Sequence, residues 1–377
     1  MWPTLEERVF EHAEDGIPRL PSGSIQSWPV VFTGTASGYA CVWLRGVVLT
    51  CLTLGFYLPW ARIACQRYLL QQTSVAGHAL DDLRSPWAML VRQCLGLSLL
   101  GGVAMAWMGL PVSGLGAATL ALAVWPMFKL MCLSERVDGI TWARRSLAFD
   151  ASLTEFYQVW GMPLFGMAML VWSWLGVARV GHAVAWVLWG MAFGLWLLNL
   201  PAWYWGHLHL RQTHIRLGPL RLRWRLGPDA IFGLVIETLG GALLALLLNL
   251  GVLAMCLGGW LWWQASHGHG AVGQMGWLWM LLGGCVMASA WMVLPEAQVR
   301  LYKLVWNRTG NRHVRVRCRL KVHVCVRMQR RHALMMLVTL GMYWPWAVVQ
   351  SRRMRMRSTV LQSRVGLNVL EAHWPVK

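Results

Sequence analysis

Long apolar runs alternate along the chain with shorter segments in which basic and apolar residues interleave. Six runs, at roughly 93–112, 115–133, 157–178, 182–204, 231–257 and 274–295, are long enough to cross a hydrocarbon core. Such a crossing takes about 20 apolar residues as a helix. Short turns join the runs in pairs, at Pro111 to Gly116 and at Ala178 to Gly181, and a longer Gly/His segment runs from Gly258 to Gly273. Each pair reads as a helical hairpin. Pro126, Pro163 and Pro201 fall inside these runs or at their ends, which helices in a bilayer tolerate better than helices in water.

Two further apolar stretches, Val47 to Trp60 and Leu334 to Trp346, hold 14 and 13 residues. As helices they reach only about 20 Å, against a hydrocarbon core of about 30 Å. They are copies of one another. Thr53-Leu-Gly-Phe-Tyr-Leu-Pro-Trp-Ala61 aligns with Thr339-Leu-Gly-Met-Tyr-Trp-Pro-Trp-Ala347 at seven of nine positions, and Arg67 falls opposite Arg353. A Gly followed so closely by Pro predicts a break in each helix. Two readings are open. The stretches are interfacial Trp/Tyr anchors, or they are re-entrant elements whose broken backbone is buried in protein or faces water. On the second reading Gly55, Tyr57, Pro59 and Trp60, with Gly341, Tyr343, Pro345 and Trp346, are candidates for a polar pathway or binding motif.

The segments between the runs predict strands. Over 313–327 the pattern has period two: Val314, Val316, Cys318, Leu320, Val322, Val324 and Val326 face one way, and His313, Arg315, Arg317, Arg319, Lys321 and His323 the other. Leu220 to Leu226 repeats the pattern, Ile140 to Phe149 does so more weakly, and the Gly77 region fits a strand or turn. A recurring order leads into them: a basic-aromatic segment, then a Thr beside a branched apolar residue, as at Thr73, Thr213, Thr309 and Thr359. The chain therefore reads as a tandem of hairpin-plus-strand units. Isolated short strands are marginal in water, so several loops are expected to pair into one cytoplasmic sheet.

Composition and charge decide the solvent and the orientation. Of 377 residues 57% are apolar and 13% charged, with mean hydropathy +0.46. A soluble globule of that composition could not cover itself with polar surface, and disorder is excluded on the same grounds. The net charge is +19. If the six runs span and the two short stretches do not, every Lys and Arg except Arg179 lies on one face, and the positive-inside rule makes that face, with both termini, cytoplasmic. Lysine occurs only at Lys129, Lys303, Lys321 and Lys377. Guanidinium binds phosphate bidentately, so Arg62, Arg67, Arg352 and Arg353 are expected against anionic phospholipid headgroups. A nucleic-acid partner is not expected, and a homo-oligomer or membrane partner stays open. The expected organisation is an acidic N-terminal arm over 1–29, a membrane domain over 30–366 and a C-terminal tail over 367–377. The arm carries Glu6, Glu7, Glu11, Glu14 and Asp15 and lacks the pattern of a signal peptide.

Candidate chemistry is sparse. Glu237 is the carboxylate deepest in a run. It is a candidate for proton or cation coupling, unless it pairs with an arginine of the 221–225 segment. Asn199 and Asn249 read as interhelical hydrogen-bonding residues. Nine scattered cysteines without a CxxC read as reduced. Neither His267 with His269 nor the His207, His209, His214 cluster has an evident further ligand, so no metal is expected. Tryptophans near helix ends read as interfacial anchors. No P-loop, GxGxxG, HExxH or GxSxG occurs; the chain is read as neither an enzyme nor a cofactor protein.

Phe32-Thr-Gly34 with Tyr39, the TLGFYLPWA segment, Arg67-Tyr68, Gly77-His78-Ala79, Pro86-Trp87 and the second TLG-x-Y-x-PWA copy resemble the YjgN family of bacterial inner-membrane proteins over nearly the whole chain. The chain departs in its 27 tryptophans, its arginine content, and Gly38, where the family often has a charged residue. The resemblance implies a multi-pass inner-membrane protein and brings no activity. Two functional expectations follow: a transport- or channel-related protein with its pathway near the TLG-x-Y-x-PWA elements and Glu237, or a membrane scaffold or sensor that binds a partner through its sheet.

Overall fold

The protein is seen in a computed structural model that describes residues 25–109, 111–180, 183–218, 220–266, 276–311 and 313–366. Ten helices are described, in five hairpins, and each hairpin lies between two strands that pair with each other. β1 (Gln26–Phe32) and β2 (Thr73–Val75) flank α1 (Ala36–Leu52) and α2 (Leu58–Gln71) and are antiparallel neighbours. β3 (His78–Asp82) and β4 (Ile140–Trp142) do the same for α3 (Pro86–Gly109) and α4 (Pro111–Asp138). After β5 (Arg145–Ser146), β6 (Ala148–Phe149) and β7 (Ile215–Leu217) flank α5 (Leu153–Val180) and α6 (Ala183–Thr213). β8 (Leu220–Arg221) follows. β9 (Arg223–Trp224) and β10 (Thr309–Gly310) flank α7 (Pro228–Ser266) and α8 (Gly276–Asn307). β11 (Val314–Cys318) and β12 (Thr359–Ser363) flank α9 (Val322–Val338) and α10 (Trp344–Arg357).

The recurring threonines end the returning helices. The hydroxyls of Thr73, Thr213, Thr309 and Thr359 donate to the carbonyls of Leu69, His209, Val305 and Arg355, four residues back, at 2.7–2.8 Å. Each satisfies a last-turn carbonyl while the branched side chain suits the strand that follows.

The hairpins form a closed circuit. α2 packs on α3, α4 on α5, α6 on α7, α8 on α9, and α10 returns to α1. β1 pairs with β12, joining the two ends of the chain in one sheet of order β5-β4-β3-β2-β1-β12-β11-β10-β9. A second sheet has the order β6-β7-β8. Trp142, Leu220, Val314 and Val365 form one buried core between the two sheets, tied by a hydrogen bond from Trp142 Nε1 to Val75 O at 3.0 Å.

Among the described residues each of the six long runs is helical, in helices of 24–39 residues that extend past the apolar run to reach the sheets. Among the described residues three stretches are long and apolar enough to cross a membrane: Gly116–Asp138, Ala183–Thr213 and Pro228–Met255.

Four expectations are corrected. The 313–327 strand ends at Cys318, and α9 begins at Val322. Val322, Cys325 and Val326 pack against Val299 at helical spacing, while Val324 is 40% exposed; a run of alternating valines fits both periods until a partner selects one. Leu220 to Leu226 holds two short strands in different sheets, so the expected single sheet is two. Two-residue strands such as β5, β6, β8 and β9 carry too little ladder to join them. Residues 26–29, expected in the arm, open β1 because Trp28 is buried and Gln26 to Pro29 pair with β12. The earlier arm residues 1–24, the tail 367–377 and the His267/His269 pair lie outside the described residues.

Candidate functional site

The two TLG-x-Y-x-PWA segments form the same turn at the tips of the first and last hairpins. Gly55 N donates to Thr50 O and Gly341 N to Met336 O, both at 2.8 Å. This closes α1 and α9 with a left-handed C-terminal cap. Leu54 and Leu340 take φ of 51° and 48°, and Gly55 and Gly341 take 95° and 89°. Thr53 Oγ1 donates to Leu49 O at 2.7 Å and accepts from Tyr57 N at 3.0 Å; Thr339 Oγ1 donates to Met335 O at 2.7 Å and accepts from Tyr343 N at 3.1 Å. Pro59 and Pro345 sit in the first turns of α2 and α10, where no amide donor is needed, and are buried. Tyr57 stacks on Trp60 at 6.0 Å and Tyr343 on Trp346 at 6.2 Å. The tips point outward: Leu54 and Leu340 are 92% and 95% exposed, and Leu52, Phe56, Leu337 and Val338 are exposed beside them.

At the sheet end of the same hairpins, the aligned arginines make aligned bonds. Arg67 Nε donates to Asp82 O at 3.0 Å, at the end of β3. Arg353 Nη2 donates to Gly34 O at 2.8 Å, just after β1. Each holds the strand that leads into the next hairpin of the circuit. Tyr68 Oη donates to Thr35 O at 3.2 Å and packs on Tyr39. A Cβ at Gly38 would lie 2.5 Å from that hydroxyl, so a larger residue there requires Tyr68 to shift. Arg62 is exposed, one turn from the first tip, and Arg352 is half-buried. Asp82 is fully buried and paired with Arg84, which also reaches Gln66; nothing in the sequence pattern singles out this pair.

Glu237 does not meet the 221–225 arginines. Arg300 of α8 bridges it and Glu296, with both contacts at 2.5 Å. The i,i+4 spacing of Glu296 and Arg300 was the available signal. Asn249 Nδ2 donates to Ser289 Oγ at 2.9 Å across α7 and α8, while Asn199 Nδ2 donates within its own helix to Leu195 O. His207 packs edge-on against Trp160, His209 stacks on Trp205, and His214 pairs with Glu155 at 3.2 Å. Among the described residues no three His, Cys, Asp or Glu converge on a metal-sized site.

The apolar helices define a membrane protein, and comparison with known proteins narrows the class. Residues 27–373 match the family model described as "Bacterial protein of unknown function (DUF898)", and the chain belongs to that family. It is similar to the Inner membrane protein YjgN of Escherichia coli (strain K12), 43% identical over 53 residues that cover 14% of this chain and 13% of the relative. The protein of the same name from Salmonella typhimurium (strain LT2) is 48% identical over 40 residues, 11% of this chain and 10% of the relative. No solved structure matches this chain.

Proposed function

We propose that this chain is a multi-pass protein of the bacterial inner membrane that serves as a scaffold or sensor, presenting its sheets to a partner on the cytoplasmic side. In this reading α3 to α8 span the bilayer, while α1/α2 and α9/α10 are copies of one shorter unit that dips in and returns. One observation carries it: the strands on either side of every hairpin pair with each other. A hairpin that starts and ends at one sheet crosses an even number of times, so all loops that carry strands share a face. Confinement of the cations to that face makes it the cytoplasmic one. The exposed leucines at the two short tips suit a hydrocarbon surrounding. Arg300 engages Glu237 and Glu296 together in an ion-pair network, which favours the scaffold over a coupled transporter.

Impermeant maleimide labelling of single-cysteine variants in spheroplasts tests the topology. Leu20→Cys and Arg144→Cys should be protected and Val180→Cys labelled; labelling of either of the first two overturns it. The scaffold reading fails if reconstituted protein carries a solute or ion flux that Glu237→Gln abolishes.

A further inference from the structure

Several arginines have an anionic partner. Asp82 holds Arg84, Glu135 holds Arg92, Asp150 holds Arg216 and Arg221, and two glutamates hold Arg300. Five others converge without one. Arg225, Arg308, Arg315, Arg317 and Arg364 line a single cleft of about 430 Å³ on the outer face of the larger sheet, and among the described residues no carboxylate lines it. All five are exposed, and none has an ion-pair partner among the described residues.

The fold sets this convergence. In β11 the side chains of Val314, Val316 and Cys318 are buried, which turns Arg315 and Arg317 together to the outside, about 7 Å apart by strand geometry. Arg315 stands opposite Gln362 on one side and Gly310 on the other. Gly310 leaves a notch beside it, and a Cβ there would lie 2.9 Å from Val314 O. A backbone bond from Arg225 N to Arg308 O at 3.1 Å holds two arginines at the helix end of the cleft. Another, from Arg364 N to His313 O at 2.8 Å, holds the fifth at the far end. Asn307 fixes the wall between them, accepting from Cys318 N at 2.7 Å and donating to Cys318 O.

We propose that this cleft binds an oligophosphate group, two or more linked or adjacent phosphates on a soluble small molecule. Several guanidinium forks in a cleft of small-molecule size match that chemistry, and an anion among five like charges lowers their mutual repulsion. The ligand arrives from water. β11 leads into α9 through Cys318 and β12 arrives from α10 at Thr359, so Arg315 and Arg364 lie toward the strand ends remote from the helices. Among the described residues no Trp, Tyr or Phe lines the cleft, which disfavours stacked single-stranded nucleic acid. The inference deepens the sensor reading, on which it rests only for the side from which the ligand comes. Binding in detergent is independent of orientation, so the two fail separately.

The test is calorimetric titration of the full chain in uncharged detergent with tripolyphosphate. Saturable binding that weakens with added salt is expected, with inorganic phosphate at least about tenfold weaker. Arg315→Gln with Arg317→Gln should lower the affinity at least about tenfold with unchanged thermal unfolding. The double Lys variant, which keeps charge and loses the fork, should fall between. Arg144→Gln, at the other end of the sheet, should match the parent. No saturable binding, or full affinity in the double Gln variant, overturns the proposal. Equal binding in phosphatidylcholine and phosphatidylglycerol nanodiscs supports the soluble source; competition by phosphatidylglycerol overturns it in favour of a lipid headgroup.

Discussion

Arg353 and Gly34 are 319 residues apart in the chain and 2.8 Å apart in space, joined by a guanidinium-to-carbonyl hydrogen bond. The bond fastens the last helix to the segment that opens the first. Together with the pairing of β1 and β12, it turns a linear series of hairpins into a closed one. Its counterpart, Arg67 to Asp82 O, fastens the first hairpin to the second. Both arginines were expected to contact lipid phosphate; both hold main-chain carbonyls, and any headgroup contact uses the donors left over.

Arg353→Gln should therefore destabilise the closed form. A hydrogen bond to a charged donor contributes about 1.5–3 kcal/mol. The expected result is a lower unfolding temperature in detergent and faster proteolysis near Gly34, with Arg353→Lys between parent and Gln variant. An unchanged unfolding profile would show that β1–β12 pairing closes the circuit alone.

The two tip glycines have open space around them but positive φ. Gly55→Ala and Gly341→Ala should each cost about 1–2 kcal/mol through backbone strain alone. Asn, which tolerates positive φ, should cost less at both positions. Thermal unfolding of the four variants checks this, and the equal turn geometry predicts equal losses at the two sites.

Asp82 and Glu237 should behave as opposites. Asp82 has no exposed surface and a partner in Arg84, whose side chain is 14% exposed, so Asp82→Asn leaves a mostly buried cation without its carboxylate and should cost about 3 kcal/mol. The Glu237 side chain is 64% exposed and shares Arg300 with Glu296. Glu237→Gln leaves Arg300 paired with Glu296 and should cost less than Asp82→Asn. Denaturation of the two variants side by side separates them.

Ala143 and Arg144 connect β4 and β5 with φ of 49° and 61°. A two-residue connection with both φ positive favours Asn-Gly. Ala143→Asn with Arg144→Gly should raise the unfolding temperature, by about 1 kcal/mol of stability or more. A lower unfolding temperature would show that the Arg144 side chain makes a contact worth more than the strain.

Much of the helical layer was legible before the fold. A run such as 231–257 has one economical way to satisfy its backbone in lipid, so its helix is predictable from length alone. The doubled TLG-x-Y-x-PWA announced two equal turns, and the recurring Thr marked where helices hand over to strands. The strands were less legible. β8 and β9 are neighbours in a single alternating segment, yet belong to different sheets, and Val322 to Val326 alternates like a strand within a helix.

The candidate residues divide along the same line. Local pattern pointed to Gly55, Pro59, Gly341 and Pro345, because a turn is decided by the residues within it. It could not pair Glu237 with Arg300, since that contact depends on how α7 lies against α8. The solvent, the helices and the paired tips follow from local pattern, through the lengths of apolar runs and the conformational limits of Gly and Pro. Which strands meet, how the circuit closes and which arginines gather in one cleft depend on long-range packing. Register in strands of two to seven residues is set by distant partners and a shared core, and neither is written in any one segment.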